Sequence, residues 1–270
     1  MQGVLEKMIS ELNTPVEYAL SLGDTSLALN PLLGQPITLR FSGDIFCTAC
    51  GRKTKKSFNQ GYCFPCSQSL AQCDICIVRP ERCHYHQGTC REPEWGLSYC
   101  MQPHYVYLAN SSGIKVGITR ESQIPTRWID QGARQAIPIF KVKSRHLAGL
   151  LEVILGQHVS DKTNWRKMLR GDAEEVDLIE SKASILSQCE KEIEQLTQQY
   201  EPEQINPLQQ ESSVSISYPV LEYPQKITSL NFDKTPDIKG TLLGIKGQYL
   251  ILDSGVINIR KFTGYNVAIS

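Results

Sequence analysis

At 270 residues, with 41% apolar and 21% charged residues, the chain is long enough for two or three small domains, and its composition is that of a globular protein. No apolar run approaches the roughly 20 residues that a membrane span needs, and the opening Met1-Gln2-Gly3-Val4-Leu5-Glu6 lacks a signal-peptide pattern, so a cytoplasmic protein without a membrane partner is expected. Basic and acidic residues balance at 28 each, but residues 101–170 carry eleven Lys and Arg against four Asp and Glu (+7), and residues 171–210 carry two against ten (−8). A basic stretch suited to a phosphate backbone thus precedes an acidic one.

Residues 1–45 read as β-rich. Val16–Leu20, Ser26–Leu29 and Pro36–Phe41 are short apolar or alternating runs separated by Gly-Asp, Asn-Pro and Gly-Gln-Pro. Asp44-Ile45-Phe46 then leads into the cysteines. Nine of the ten lie between Cys47 and Cys100, and in a reducing compartment such clustering points to metal rather than disulfides. Cys47-Thr-Ala-Cys50 and Cys63-Phe-Pro-Cys66 are Cys-x2-Cys pairs twelve residues apart, the spacing of a zinc ribbon. Four thiolates close a tetrahedron around Zn²⁺ and leave no open position, so this centre is read as structural zinc rather than a redox pair. The loop between the pairs carries Arg52, Lys53, Lys55 and Lys56 ahead of Phe58, a candidate phosphate contact or a solvated tip.

Cys73, Cys76, Cys83, Cys90 and Cys100, interleaved with His84 and His86, exceed one closed site. Cys76, Cys83, Cys90 and Cys100 are the expected ligands of a second zinc, with His86 or Cys73 as substitutes, because short loops without a core need a metal to hold them. One or two structural zinc ions are expected in all.

Tyr105–Ala109 and Ile114–Thr119 flank Asn110-Ser111-Ser112-Gly113 and read as a tight β-hairpin. A short helix starts near Pro125 with Arg127, a strand follows over Ile137–Val142, and His146–Val159 reads as a buried or amphipathic helix with Glu152 beside its apolar stripe. Hairpin, arginine helix and glutamate helix in this order resemble the GIY-YIG nuclease superfamily, over about a quarter of the chain. In that resemblance Tyr105-Val106-Tyr107 stands for the first triplet, Lys115-Val116-Gly117 for the second, Arg127 for the arginine, Glu152 for the metal ligand and Asn164 for a late asparagine. Two positions depart from the pattern: Lys115 replaces a tyrosine, and Gln131 stands where many members place a histidine. The whole chain is also similar to a bacterial family that joins a cysteine-rich front half to such a core, a likeness that implies no activity.

The resemblance implies phosphodiester cleavage. Glu152 would hold Mg²⁺ or Mn²⁺, Arg127 would donate to the scissile phosphate, and Tyr107 would orient or deprotonate the attacking water. Lys115 would lower the pKa of that phenol or hold phosphate as a point charge. Arg120 and Asn164 join the basic loop as candidate contacts to DNA or RNA. The bland alternatives are a half-buried packing tyrosine, an exposed strand lysine, and pairing of Arg127 with Asp130 or Glu152.

Beyond the core, Asp161–Arg170 reads as a polar loop and basic turn. A long acidic helix is expected over Ala173–Tyr200, started by Asp172 and Glu175, either a packing helix or a coiled-coil arm of a homodimer. Residues 201–215 read as a linker, and short β runs return at Ser215–Val220, Gly240–Leu252 and Val256–Arg260. The expected fold is therefore α+β: a small GIY-YIG-like α/β core (101–170) flanked by a zinc-binding module (46–100) and β-rich terminal segments (1–45 and 206–270), with the acidic helix and linker at 171–205. The expected function is a metal-dependent endonuclease. The alternatives are a zinc-dependent DNA- or RNA-binding protein without catalysis, and a protein-interaction scaffold.

Overall fold

The computed structural model describes residues 1–159 and 164–270; the stretch Asp161–Thr163 of the expected polar loop lies outside them. The fold is α+β, built on antiparallel sheets. At its centre, His104–Asn110 and Ile114–Arg120 form the expected hairpin, with Tyr107 opposite Gly117 and Ala109 opposite Lys115. Gly113 closes the turn at φ +139°, a backbone setting that favours glycine. Gln135–Val142 pairs with the other side of His104–Asn110, which leaves Ile114–Arg120 as an edge strand.

Alternation along the strands sends side chains to two different cores. Val106, Leu108, Val116 and Ile118 face a helical layer in which Leu147, Leu151 and Leu155 of the helix Arg145–Leu155 are buried. Each such side chain contributes about 2 kcal/mol of burial. Tyr107 and Ala109 face the opposite way, toward Trp128, Ile129 and a large β layer. That layer joins the two ends of the chain in one sheet, in the order Gln2–Val4, Tyr265–Ile269, Pro36–Phe46, Asp237–Lys246, Tyr249–Leu252 and Gly255–Asn258. The N-terminal and C-terminal β segments, far apart in sequence, thus share one structure. Ile9–Glu11, Glu17–Leu22 and Thr25–Ala28 form a smaller sheet.

Three expectations along the chain are corrected. The helix expected over 173–200 begins only at Leu178, capped by Asp177, whose Oδ1 accepts from the backbone N–H of Ile179 and Glu180. The preceding residues are held extended by sheet side chains: Arg134 donates to the Ala173 carbonyl, Asn110 to that of Glu174, and Gln135 brackets Val176 with two bonds. The helix then breaks at the buried Cys189 into Leu178–Gln188 and Glu190–Thr197, so that Ile185, Cys189 and Leu196 all reach one core. The expected linker is also partly strand, since Ile205–Pro207 and Val214–Ser215 both pair with Gln135–Val142, and Ile205 is buried. Finally, Val256–Arg260 is strand only through Asn258 and turns into a short 3₁₀ helix, Ile259–Phe262.

Two contacts fix the core against its neighbours. The buried Asp130 carboxylate accepts from Gln248 Nε2 (2.8 Å) and pairs with Lys7 Nζ (3.1 Å), while Gln248 also bonds both backbone groups of Met8. Asp130 therefore does not serve Arg127, its alternative partner from the sequence. On the helical side, Gly149 lets the helix Arg145–Leu155 close on the turn Pro80–Arg82, where a Cβ would stand 2.5 Å from the Glu81 nitrogen. No helix among the described residues is long and apolar enough to cross a membrane.

His104, at the start of the hairpin, is fully buried; its Nδ1–H donates to the Gln102 carbonyl at 2.7 Å, and Nε2 has no hydrogen-bond partner among the described residues. Burial, chiefly, lowers its pKa to about 4, with Arg145 and Arg120 adding to the effect. The folded state then binds fewer protons than the unfolded state, so this contribution is complete above the ordinary histidine value and is lost as pH falls toward 4. Between pH 7.5 and pH 5, urea unfolding of wild type should lose about 2 kcal/mol more than that of His104→Gln, both measured on zinc-loaded protein.

Candidate metal and catalytic sites

The strand Pro36–Phe46 delivers Cys47 into a knuckle whose backbone N–H of Gly51 bonds back to the Cys47 carbonyl. The second pair enters on the first turn of the helix Phe64–Ser69. The ligand atoms of Cys47, Cys50, Cys63 and Cys66 all lie within 4.8 Å of one another, and Cys50 Sγ stands 3.8 Å from Cys63 Sγ. A tetrahedron with Zn–S bonds of about 2.3 Å has edges of about 3.8 Å. The four cysteines are positioned to bind a metal ion such as zinc.

Electrostatics support the same conclusion. Burial pushes the Cys47 thiol up, but backbone N–H groups of Cys63, Cys50 and Ala49 outweigh it and bring it down to about 6. Cys66, which shares hydrogen bonds with Cys63 and the other thiols, is pushed up to about 12. Four sulfurs this close cannot all ionise unless a cation offsets their repulsion.

The basic loop sits directly on this centre. Arg52 Nε donates to Cys50 Sγ (3.2 Å), Lys53 pairs with Asp44 (2.6 Å), and Lys56 lies over the Phe58 ring at 5.3 Å, while Lys55 is exposed. Arg120 is elsewhere, stacked on Tyr99 at 4.1 Å, with Tyr99 in turn stacked on Trp95. Asn164 caps the helix Trp165–Arg170, its Oδ1 accepting from Lys167 N.

The second group of cysteines shares one cavity, although its four sulfurs do not all lie within 4.8 Å of one another as those of the first centre do. Cys76, Cys83, Cys90 and Cys100 line one cavity of about 10 Å³, together with Asp74, His84 and Arg91. Its tightest potential ligand set is Asp74, Cys76 and His84, whose ligand atoms lie within 4.8 Å of one another. Cys73 and His86, the substitutes from sequence, do not line it.

The core brings its four singled-out side chains together from four elements. Tyr107 is fully buried, its ring crossing so close to the opposite strand that a Cβ on Gly117 would stand 2.7 Å from the hydroxyl. That hydroxyl donates to Gln131 Oε1 at 3.0 Å. Burial raises the phenol pKa, against the opposing influence of Arg127, and Glu152 raises it further. The net shift is upward, and Lys115, one of whose two expected roles is to lower it, is not among its causes. Lys115, 6% exposed, is itself lowered to about 8, first by burial and then by Arg127, with Glu152 acting the other way. Arg127 and Glu152, both half-buried, therefore lie within electrostatic reach of Tyr107 and of Lys115.

Sequence reasoning missed two cations of this neighbourhood. Arg145, the first residue of the glutamate helix, feels Arg127 and Glu152, and Arg260 from the C-terminal segment feels Arg127 and Asp130. Neither belongs to a motif, and only the fold brings them here.

For the first metal centre, a chelator strong enough to strip zinc should lower the thermal midpoint by about 10 °C or more, because metal binding free energy is folding free energy. Cys66→Ser should lose the corresponding ion in a zinc assay, whereas Cys189→Ser, which alters a cysteine packed in the apolar core, should keep it.

Comparison with known proteins finds a match to the family described as "Protein of unknown function (DUF2797)" over residues 34–267. No curated protein and no solved structure matches the chain. The matched span takes in both cysteine clusters and the core sheet with Tyr107, Lys115, Arg127 and Glu152, and the chain belongs to the DUF2797 family.

Proposed function

We propose that the protein acts on DNA or RNA as a zinc-structured relative of the GIY-YIG nucleases, hydrolysing phosphodiester bonds with a divalent cation held through Glu152. The observation that carries this reading is that Tyr107 and Lys115, on paired strands, each lie within electrostatic reach of both Arg127 and Glu152, which come from two different helices. Several cations grouped around one carboxylate suit an anionic substrate that brings its own negative charge.

The residues divide the work by chemistry. Arg127, half-buried on a short helix, is suited to donate to phosphoryl oxygens as its planar fork allows. Glu152 offers the oxygen ligand that Mg²⁺ or Mn²⁺ prefers, and such an ion would polarise the phosphate when bound. Tyr107 stays protonated and buried, so it is a positioning residue: its hydroxyl fixes the Gln131 amide and its ring braces Gly117. Lys115, lowered to about 8, lies nearer to neutrality than any free lysine and is the better proton acceptor of the two.

A specific observation favours a second reading, binding without cleavage. The Tyr107 hydroxyl already donates its one proton to Gln131, and burial keeps that phenol protonated, so it is a poor acceptor for a proton from an attacking water. The two readings separate in one set of assays on the zinc-loaded full chain, using single- and double-stranded DNA and RNA with Mg²⁺ or Mn²⁺ added. Hydrolysis that falls about 100-fold or more in Glu152→Ala and in Arg127→Ala, with zinc content and thermal midpoint kept, supports the enzyme. Salt-sensitive binding with no cleavage by wild type on any of these substrates supports the second reading. Absence of both cleavage and salt-sensitive binding would falsify the nucleic-acid assignment altogether.

A further inference from the structure

The cavity behind Trp95 and Gly96 gathers more sulfur than packing requires. Cys76, Cys83, Cys90 and Cys100 come from four separate turns and line a space of about 10 Å³, room for one atom-sized guest. The thiols of Cys76, Cys83 and Cys100 make no hydrogen bond among the described residues, and Cys90 has only a long contact to the Glu92 carbonyl at 3.6 Å. Of the two non-sulfur candidates, Asp74 is engaged, while His84 is held through Nδ1 and keeps its Nε2 at 3.7 Å from the Asp74 carboxylate. Asp74 pairs with Arg91 at 2.7 Å and caps the turn at Cys76, and His84 Nδ1 lies 2.8 Å from Thr89 Oγ1.

A second, independent observation concerns Arg145, which stands outside the cavity lining but within electrostatic reach of Cys76 and Cys100. Arg145 is half-buried, and its Nε is buried with no hydrogen-bond partner among the described residues. Its other groups bind the same module: the backbone N–H donates to the Cys100 carbonyl (2.8 Å) and Nη2 to the Ile77 carbonyl (2.6 Å). A guanidinium with a buried spare donor calls for an anion, and among the cavity's donor sets four thiolates around Zn²⁺ carry the larger negative charge. An Asp, Cys and His set around the same ion would leave the site uncharged.

We propose that Cys76, Cys83, Cys90 and Cys100 hold a second zinc ion as a four-thiolate centre, with Arg145 donating to its sulfurs, and that this centre fixes the start of the helix carrying Glu152. Such a centre would hold the module together whether or not the protein cuts nucleic acid. Arg145 is a positioning residue here: it joins the centre to the first turn of the helix Arg145–Leu155, seven residues before the carboxylate.

Zinc content and X-ray absorption at the zinc edge test this on the unmutated full chain. The expected result is about two ions per chain and a first shell of sulfur alone. Cys83→Ser should bring the content to about one ion, with the Cys47 centre retained, and Asp74→Asn and His84→Gln should keep both ions. Arg145→Gln should speed transfer of the second ion to a competing chelator about tenfold, with Arg145→Lys closer to wild type. A wild-type content of one ion, nitrogen or oxygen in the first shell, or loss of the second ion in Asp74→Asn and His84→Gln but not in Cys83→Ser would each overturn the proposal. Unchanged transfer in Arg145→Gln would remove Arg145 from it. Should Cys83→Ser fail to fold, the absorption spectrum of the unmutated protein decides.

Discussion

The buried carboxylate of Asp130 is the joint on which the rest of this structure depends. It ends the arginine helix, and it is reached by Lys7 from the N-terminal segment and by Gln248 from the C-terminal hairpin. Gln248 simultaneously satisfies both backbone groups of Met8. In a low-dielectric interior such a network has value only when complete, because each group left unpaired costs about 1–3 kcal/mol. The setting of Arg127, one turn before Asp130, thus depends on both ends of the chain arriving.

Around that joint the core uses its two sheet faces for different purposes. The face bearing Val106 and Leu108 is apolar and takes the helices, as cohesion requires. The face bearing Tyr107 holds a phenol and, at the sheet edge, a lysine, groups that burial alone would penalise. Tyr107 meets the requirement with Gln131, whose side-chain carbonyl accepts from the phenol.

What could be read from the sequence followed the range of the interactions involved. The hairpin, the arginine helix and the glutamate helix were legible because turn chemistry and periodicity are local. The Cys47 to Cys66 set was legible because two short pairs can place sulfurs only near each other. The helix expected from residue 173 was not, since Arg134, Asn110 and Gln135 reach from the sheet to claim its backbone groups. The strands in the polar stretch after 201 were likewise hidden, because Ile205–Pro207 takes its order from the open side of Gln135–Val142 rather than from its own composition. Asp130, Arg145 and Arg260 lay beyond reach for the same reason: their partners are remote in sequence.

The glycine at 149 has a mechanical meaning. With hydrogen in place of a methyl, the helix rests directly on the Pro80–Arg82 turn, against the Glu81 nitrogen and the rigid proline at 80. Close-packed backbones transmit displacement rather than absorb it. Residue 152 lies only about 4.5 Å further along the same rod. Any shift of that turn becomes a comparable shift of the carboxylate, so the geometry at Glu152 has the cysteine-rich module as its bearing.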